Sequence, residues 1–235
     1  MADGDPTPDH DHTGARSESR TPPTRVVLIE DHAVVAEAVE HVLGAERDLL
    51  VVGHAATLQA GTEAVADLRP DLTVMNVRLP DGDGASGTAE VLRACPTTRV
   101  VLLSAFGSIE VIARAIEAGA VGFIPKTAGL KELVVSLRRA AEGAIVLPPD
   151  LLSEVAAHIR TGATASETSL TTRERQVLQR LAEGDSATVI AERLGLSLHT
   201  VRNHLRAVRR KLGASTQVEA IAIAYRAGLV QPPLA

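Results

Sequence analysis

The feature that most constrains the fold is a regular alternation, between Arg25 and Gly143, of short apolar runs with segments that are apolar at helical spacing. This pattern predicts an α/β, doubly wound domain, because parallel strands need helical crossovers that then cover both faces of the sheet. The predicted strands are Val26 to Ile29, Leu49 to Val52, Leu72 to Met75, Val100 to Leu103 and Val121 to Ile124. The predicted helices are Val34 to Leu43, Leu58 to Leu68, Ala89 to Cys95, Ile109 to Ala118 and Leu130 to Ala141.

The chain divides into four segments. Its 235 residues exceed one ordinary domain of about 100 to 150 residues. Residues 1–24 are rich in proline, charge and small polar side chains and have no apolar run, so a disordered tail is predicted. Residues 25–143 form the sheet domain, 144–167 a linker with a short helix, and 168–235 a small all-α domain.

The second domain has the pattern of a helix-turn-helix. Thr171 and Glu174 have capping-box spacing ahead of an amphipathic helix that ends at Gly184. A short helix, Ala187 to Leu194, a turn and a long helix from about His199 to Leu212 follow. A last helix is predicted from about Gln217 to Ala227.

Composition excludes several classes of protein. No apolar run approaches the roughly 20 residues of a spanning helix, so a cytoplasmic protein with no membrane partner is expected. The net charge of −5 for the whole chain argues against binding to nucleic acid, but the charge is not evenly distributed between the two domains. Residues 166–235 hold ten basic and six acidic residues, a net charge of +4, so the basic excess lies in the second domain alone.

Polar residues follow four of the predicted strands. Glu30 and Asp31 follow the first strand, Asn76 the third and Ser104 the fourth, while Lys126 comes just after the fifth. Ligands of open parallel sheets bind beyond the carboxyl ends of the strands. These residues are therefore predicted to form one pocket.

At these positions residues 25–143 resemble the receiver domain of bacterial response regulators, which has a flavodoxin-like five-stranded parallel sheet. The matching segments are Leu28-Ile29-Glu30-Asp31-His32, Met75 to Gly84, Ser104 and Lys126. The resemblance implies that the acid pair helps to hold Mg²⁺, and that the hydroxyl and the lysine contact a phosphoryl group carried by an aspartate that ends the third strand.

This chain departs from that pattern at the phosphoacceptor, where Asn76 replaces the aspartate. A carboxamide is neutral and a poor nucleophile, so it forms no acyl phosphate. Asn76 also removes a carboxylate ligand, so the Mg²⁺ site at Glu30 and Asp31 is expected to be weak or absent, and no other cofactor is predicted.

The sequence allows more than one role for the remaining pocket residues. Lys126 either neutralises a buried acid cluster or, with Ser104, contacts an anionic or small-molecule effector. Asp81 and Asp83 lie in the loop after the third strand and are the candidate surrogate phosphoacceptors. His32 is expected to be a surface or helix-cap histidine.

The long helix of the second domain has one apolar and one cationic face. Val201, Leu205, Val208 and Leu212 recur as a buried stripe. No acid lies between Gly195 and Gln217, so internal ion pairing is not expected and DNA is the predicted partner. Base readout in the major groove is assigned to Arg202, Asn203 and Arg206. Phosphate contacts are assigned to Arg209, Arg210, Lys211, Thr171, Thr172 and Arg173.

Segments 170–174, 190–197, 199–204 and 210–213 resemble the LuxR-type helix-turn-helix domain. Together with the receiver-like domain, the chain is similar to NarL/FixJ-type response regulators. The resemblance implies a transcriptional regulator that binds double-stranded DNA as a homodimer and is not an enzyme.

The sequence leaves three forms of control open. The first is a DNA-binding regulator that is not phosphorylated at the usual site and is controlled by its abundance, a ligand or a partner. The second is an interaction module whose receiver heterodimerises with, or sequesters, another regulator. The third is a conventional two-component regulator phosphorylated at a surrogate site.

Overall fold

The computed structural model describes residues 22–105, 108–148, 151, 154–155, 158 and 170–231. Most of the predicted tail and much of the predicted linker helix lie outside these residues. The strands are β1 Thr24–Ile29, β2 Leu49–Ala55, β3 Leu72–Asn76, β4 Arg78–Leu79, β5 Gly82–Asp83, β6 Arg99–Ser104 and β7 Gly122–Pro125. The helices are α1 Ala33–Gly44, α2 Leu58–Leu68, α3 Gly84–Ala94, α4 Ile109–Ala118, α5 Leu130–Ala141, α6 Thr172–Ala182, α7 Ala187–Leu194, α8 Leu198–Leu212 and α9 Gln217–Arg226.

The first domain is built on a five-stranded parallel sheet with strand order β2-β1-β3-β6-β7. Side chains of β1 alternate between two apolar layers. Val27 and Ile29 pack toward α2, α3 and α4, whereas Val26 and Leu28 pack toward α1 and α5. Every residue of the central strand β3 is buried, as expected for a strand covered on both faces. The doubly wound fold class is confirmed.

Helix α3 begins five residues before the predicted start at Ala89. Asp83 caps it, because its carboxylate accepts a hydrogen bond (3.0 Å) from the backbone N–H of Ala85. Gly84 lies so close to the carbonyl of Asn76 that a Cβ atom would collide with it. This contact places the start of α3 directly against the end of β3.

The beginning of the predicted linker is part of the sheet domain. Ala144, Ile145 and Val146 are buried, and Val146 forms a parallel bridge with Gly122. Val146 donates to the carbonyl of Val121 (3.0 Å) and accepts from the N–H of Phe123 (2.7 Å). A Cβ atom on Gly122 would lie 2.7 Å from that of Val146, so glycine makes this approach possible.

The second domain packs four helices, α6 to α9, with contacts of α6, α7 and α9 on α8, and its buried apolar residues belong to the same cluster as those beneath α2, α3 and α4. The predicted capping box is present at the start of α6. In the described part of the chain, no helix has the length and apolar character needed to cross a bilayer.

Candidate functional site

The carboxyl ends of the strands bring the predicted pocket residues together. Glu30 and Asp31 follow β1, Asn76 ends β3 and Ser104 ends β6. Lys126 follows β7, and its backbone N–H donates to the carbonyl of Ser104 (2.7 Å). We call Glu30, Asp31, Asn76, Ser104 and Lys126 the strand-end cluster.

The centre of the strand-end cluster is a buried ion pair. The Nζ atom of Lys126 lies 2.9 Å from Oε1 and 2.7 Å from Oε2 of Glu30. The Glu30 side chain is fully buried, and that of Lys126 is 15% exposed. A carboxylate at this depth needs a cation or several hydrogen bonds to remain charged. Lys126 supplies that compensation without any phosphoryl group.

Asn76 donates hydrogen bonds to the acid pair. Its Nδ2 lies 2.7 Å from Oδ1 of Asp31, 2.8 Å from the carbonyl oxygen of Arg78 and 3.3 Å from Oε1 of Glu30. Burial raises the pKa of Asp31, but hydrogen bonds, first among them the one from Asn76, lower that pKa below its usual 3.8. An aspartate at this position would instead add negative charge to two carboxylates.

His32 is exposed at the N-cap position of α1, as expected, and its ring also contacts the strand-end cluster. Its Nδ1 lies 2.9 Å from Oε1 of Glu30 and 3.1 Å from Oδ1 of Asp31, and its backbone N–H also donates to Glu30 (3.1 Å). The ring makes no capping hydrogen bond to α1. The sequence signal for this contact is the position of His32 directly after Glu30 and Asp31.

The strand-end cluster as arranged does not fit Mg²⁺. Candidate ligand atoms of Glu30, Asp31 and His32 lie within 4.8 Å of one another. However, Lys126 and Asn76 direct N–H groups at the carboxylate oxygens that a hard cation would take. Bound Mg²⁺ would have to displace both donors.

The two candidate surrogate phosphoacceptors have structural roles. The carboxylate of Asp81 accepts hydrogen bonds from the backbone N–H groups of Leu58 (2.7 Å) and Gln59 (2.9 Å) at the start of α2. These bonds hold the pKa of Asp81 below its usual range. Asp83 caps α3 and lies 3.0 Å from the guanidinium of Arg114. Both carboxylates are therefore occupied by local partners.

In the second domain, helix α8 has the predicted amphipathic form. Val201, Leu205, Val208 and Leu212 are buried along one stripe. Ser197 caps the helix by accepting a hydrogen bond (3.0 Å) from the N–H of Thr200.

The polar face of α8 divides into two regions. Asn203, Arg206 and Arg210 are exposed, and Arg206 donates to Oδ1 of Asn203 (3.0 Å). Arg202 is also exposed, and it lines a cleft between the two domains together with Arg209. Arg209 is half-buried and donates to the carbonyl of Ser215 (3.2 Å).

Lys211 has an internal partner, so the expectation that no ion pairing involves this face is wrong for Lys211. Its Nζ lies 2.6 Å from Oε2 of Glu174, a buried residue of α6. The same Oε2 accepts from the N–H of Thr171 (2.8 Å). Glu174 lies 37 residues from Lys211 in the sequence, so the composition of α8 and its flanks gives no sign of this pair.

The other proposed phosphate contacts also have local roles. Thr171 caps α6 by accepting from the N–H of Glu174 (3.2 Å). Arg173 donates to the carbonyl of Leu194 (2.6 Å) and to the side chain of Gln176 (2.9 Å). Thr172, the first residue of α6, is exposed.

The ion pair of Glu174 predicts a pH dependence. Burial raises the pKa of Glu174, but hydrogen bonds from Lys211 and Thr171 lower it below the usual 4.5. The stabilisation is thus complete above pH 4.5 and is lost as the pH falls through the lowered folded-state value. Glu174→Gln is expected to be less stable than the unmodified protein at pH 7, with a difference that shrinks toward pH 3 in urea unfolding. A difference that is constant with pH would contradict this assignment.

Comparison with known proteins agrees with this geometry. The family model of the response regulator receiver domain matches residues 26–138, and that of bacterial regulatory proteins of the luxR family matches residues 168–224. The chain is 34% identical over 206 residues to the probable transcriptional regulatory protein NarL of Mycobacterium tuberculosis, covering 88% of this chain and 95% of that protein. It is 32% identical over 212 residues to the uncharacterized transcriptional regulatory protein YxjL of Bacillus subtilis, covering 88% and 97%.

Solved structures show the same folds. The receiver domain of the putative response regulator NarL from Mycobacterium tuberculosis has a TM-score of 0.50 and 31% identity, over 52% of this chain and 99% of that one. An RcsB–DNA complex has a TM-score of 0.51 and 19% identity, over 86% and 98%, which shows a likeness of fold alone. From its two domains and these relatives, the chain belongs to the NarL/FixJ-type response regulators, DNA-binding transcription factors with a LuxR-type helix-turn-helix domain and not enzymes.

Proposed function

We propose that this protein is a cytoplasmic transcriptional regulator whose receiver is not switched by aspartyl phosphorylation. The observation that carries this proposal is the position of Asn76, whose amide donates to Asp31 at the place where the family has its phosphoacceptor. Lys126 neutralises Glu30 without a phosphoryl group. Control comes from the abundance of the protein, a small-molecule effector or a partner regulator.

The DNA-binding surface is the exposed part of α8. The amino-terminal half of a recognition helix meets base edges in the major groove, so Arg202, Asn203 and Arg206 read bases. Arg209 and Arg210 lie further along the helix and contact phosphate. Lys211, paired with Glu174, positions α8 against α6 and contributes less to DNA affinity. RcsB binds DNA as dimers, and we propose a homodimer on DNA here as well.

A phosphoryl donor tests the proposed control. Incubation with acetyl phosphate and Mg²⁺ is expected to leave the intact mass and the DNA affinity unchanged. Asn76→Asp is the companion variant, because it restores the carboxylate that both metal and phosphoryl group need. This variant is expected to gain 80 Da, the mass of one phosphoryl group, and to bind Mg²⁺ at least about tenfold more tightly.

The phosphoryl-donor test and a selection of bound DNA together distinguish the three forms of control. An acyl phosphate on the unmodified protein, mapped to Asp81 or Asp83, would overturn the proposal in favour of a surrogate site. Absence of DNA binding to any duplex in an unbiased selection with the full chain would favour the interaction module.

A further inference from the structure

The two domains enclose a cleft of about 470 Å³. Arg99 and the Glu142–Gly143 turn line it on the receiver side, and Arg202, Arg209 and the first turn of α9 line it on the other. The domains also touch nearby, where Arg139 donates to the carbonyl of Gly184 (3.0 Å). The cleft therefore joins a receiver surface to two arginines of the recognition helix.

The cleft carries excess positive charge. Three guanidinium groups and a single carboxylate, that of Glu142, occur among its described lining residues. The guanidinium groups of Arg99 and Arg202 have no hydrogen bond or ion pair within the described part of the chain. Burial and the nearby charge of Arg202 lower the pKa of Arg99, opposed by Asp71. The cleft therefore holds like charges close together, and an anion between them would relieve the repulsion.

Apolar side chains line another part of the cleft, and Ser215, Thr216 and Gln217 add polar groups. Leu92, Pro96 and Ala120 of the receiver face Ala187 and Val218 of the second domain. The volume of the cleft lies within the range of about 300 to 1,000 Å³ that is typical of small-molecule sites. A ligand that satisfies both parts of the lining has an anionic group and an apolar or aromatic body.

We propose that this cleft binds a small organic phosphate of the nucleoside phosphate class, with the phosphate between Arg99, Arg202 and Arg209. A guanidinium group pairs with phosphate or carboxylate through two parallel N–H donors, but a terminal phosphate offers three oxygen atoms and a larger charge to the three guanidinium groups, which favours phosphate over a single carboxylate. The apolar wall holds the base. The bound ligand keeps Arg202 and Arg209 against the receiver, so it lowers DNA affinity by stabilising the closed arrangement. This consequence rests on the proposed role of α8 in DNA binding.

Titration calorimetry with the full chain tests binding, with ATP, inorganic pyrophosphate and adenosine as probes. ATP is expected to bind, pyrophosphate about tenfold more weakly because it lacks the body, and adenosine not measurably because it lacks the anion. Arg99→Gln is expected to weaken ATP binding at least about tenfold. Arg93→Gln, an exposed arginine of α3 outside the cleft, makes the same charge change and is expected to have no effect.

Several results would overturn the assignment. These are equal affinity for pyrophosphate and ATP, binding of adenosine, or unchanged ATP affinity in Arg99→Gln. Thermal unfolding checks that this variant is folded. If Arg99→Gln is not folded, Arg99→Lys is tested instead. It keeps the charge but loses the two parallel donors, and it is expected to lose ATP affinity severalfold.

DNA affinity provides the second readout and separates the two proposals. ATP at ten times its dissociation constant is expected to weaken DNA binding by up to about tenfold in the unmodified protein, and far less in Arg99→Gln. Equal inhibition of both proteins would mean that ATP competes directly on α8 and would overturn the cleft site. If the protein binds DNA normally but does not bind ATP, the proposed ligand site in the cleft is wrong and the proposed function stands. If it binds ATP but no DNA, the proposed function is wrong and the ligand site stands.

Discussion

Replacement of Lys126 by methionine is expected to lower the free energy of unfolding by about 3–5 kcal/mol. The variant keeps an unbranched side chain about as long as the aliphatic part of lysine but leaves the fully buried Glu30 carboxylate without its cation. The hydrogen bonds from His32 and Asn76 remain, but they do not replace a charge at 2.7 Å. Denaturant unfolding followed by circular dichroism measures the loss.

Two further variants test this explanation. Lys131→Met changes an exposed lysine of α5 and is expected to alter stability by no more than about 0.5 kcal/mol. The double variant Glu30→Gln with Lys126→Met removes both charges and is expected to recover much of the lost stability. A loss below about 1 kcal/mol in the single variant would show that the ion pair does not compensate Glu30.

The second large expected effect is a loss of DNA affinity when Arg206 is replaced. Arg206→Ala is expected to reduce affinity for the preferred sequence by about 1–3 kcal/mol, which is about fivefold to 150-fold, and to relax the choice of base at one position. Arg206 is exposed near the middle of α8 and is oriented by Asn203. Fluorescence anisotropy on the selected duplex and on an unrelated duplex measures both affinity and discrimination.

Arg210→Ala provides the matched comparison, because it removes the same charge one helical turn later. This variant is expected to weaken binding to both duplexes equally and to reduce the slope of log affinity against log salt by about 1. If Arg206→Ala weakened both duplexes equally as well, base readout by Arg206 would be ruled out.

The architecture was predictable because it follows from local patterns. Strand and helix periodicity predicted the order of the elements except the two-residue strands β4 and β5, and α2, α4, α5 and α7 have the predicted bounds. Parallel topology then placed Glu30, Asn76 and Lys126 at one edge of the sheet, since all strands end on the same side. The proposed absence of phosphorylation at the acceptor position rests on the identity of a single residue, Asn76, and stays a prediction.

Side-chain partners were less predictable because they depend on contacts between distant segments. The ion pair of Lys211 with Glu174 joins two helices, and the hydrogen bond of Arg173 with Leu194 joins the start of α6 to the end of α7. The cleft that contains Arg202 depends on how the domains meet. None of these contacts has a signature in the spacing of residues along one element.

The bridge between Val146 and Gly122 also determines where the receiver can be cut. Ala144 to Val146 cover part of the outer edge of β7, leaving fewer of its backbone groups unpaired. A fragment that ends at the predicted boundary of 143 would expose this edge together with the apolar side chains beneath it. Exposed strand edges are templates for association between chains. A receiver fragment that includes Val146 is therefore the one expected to resist aggregation.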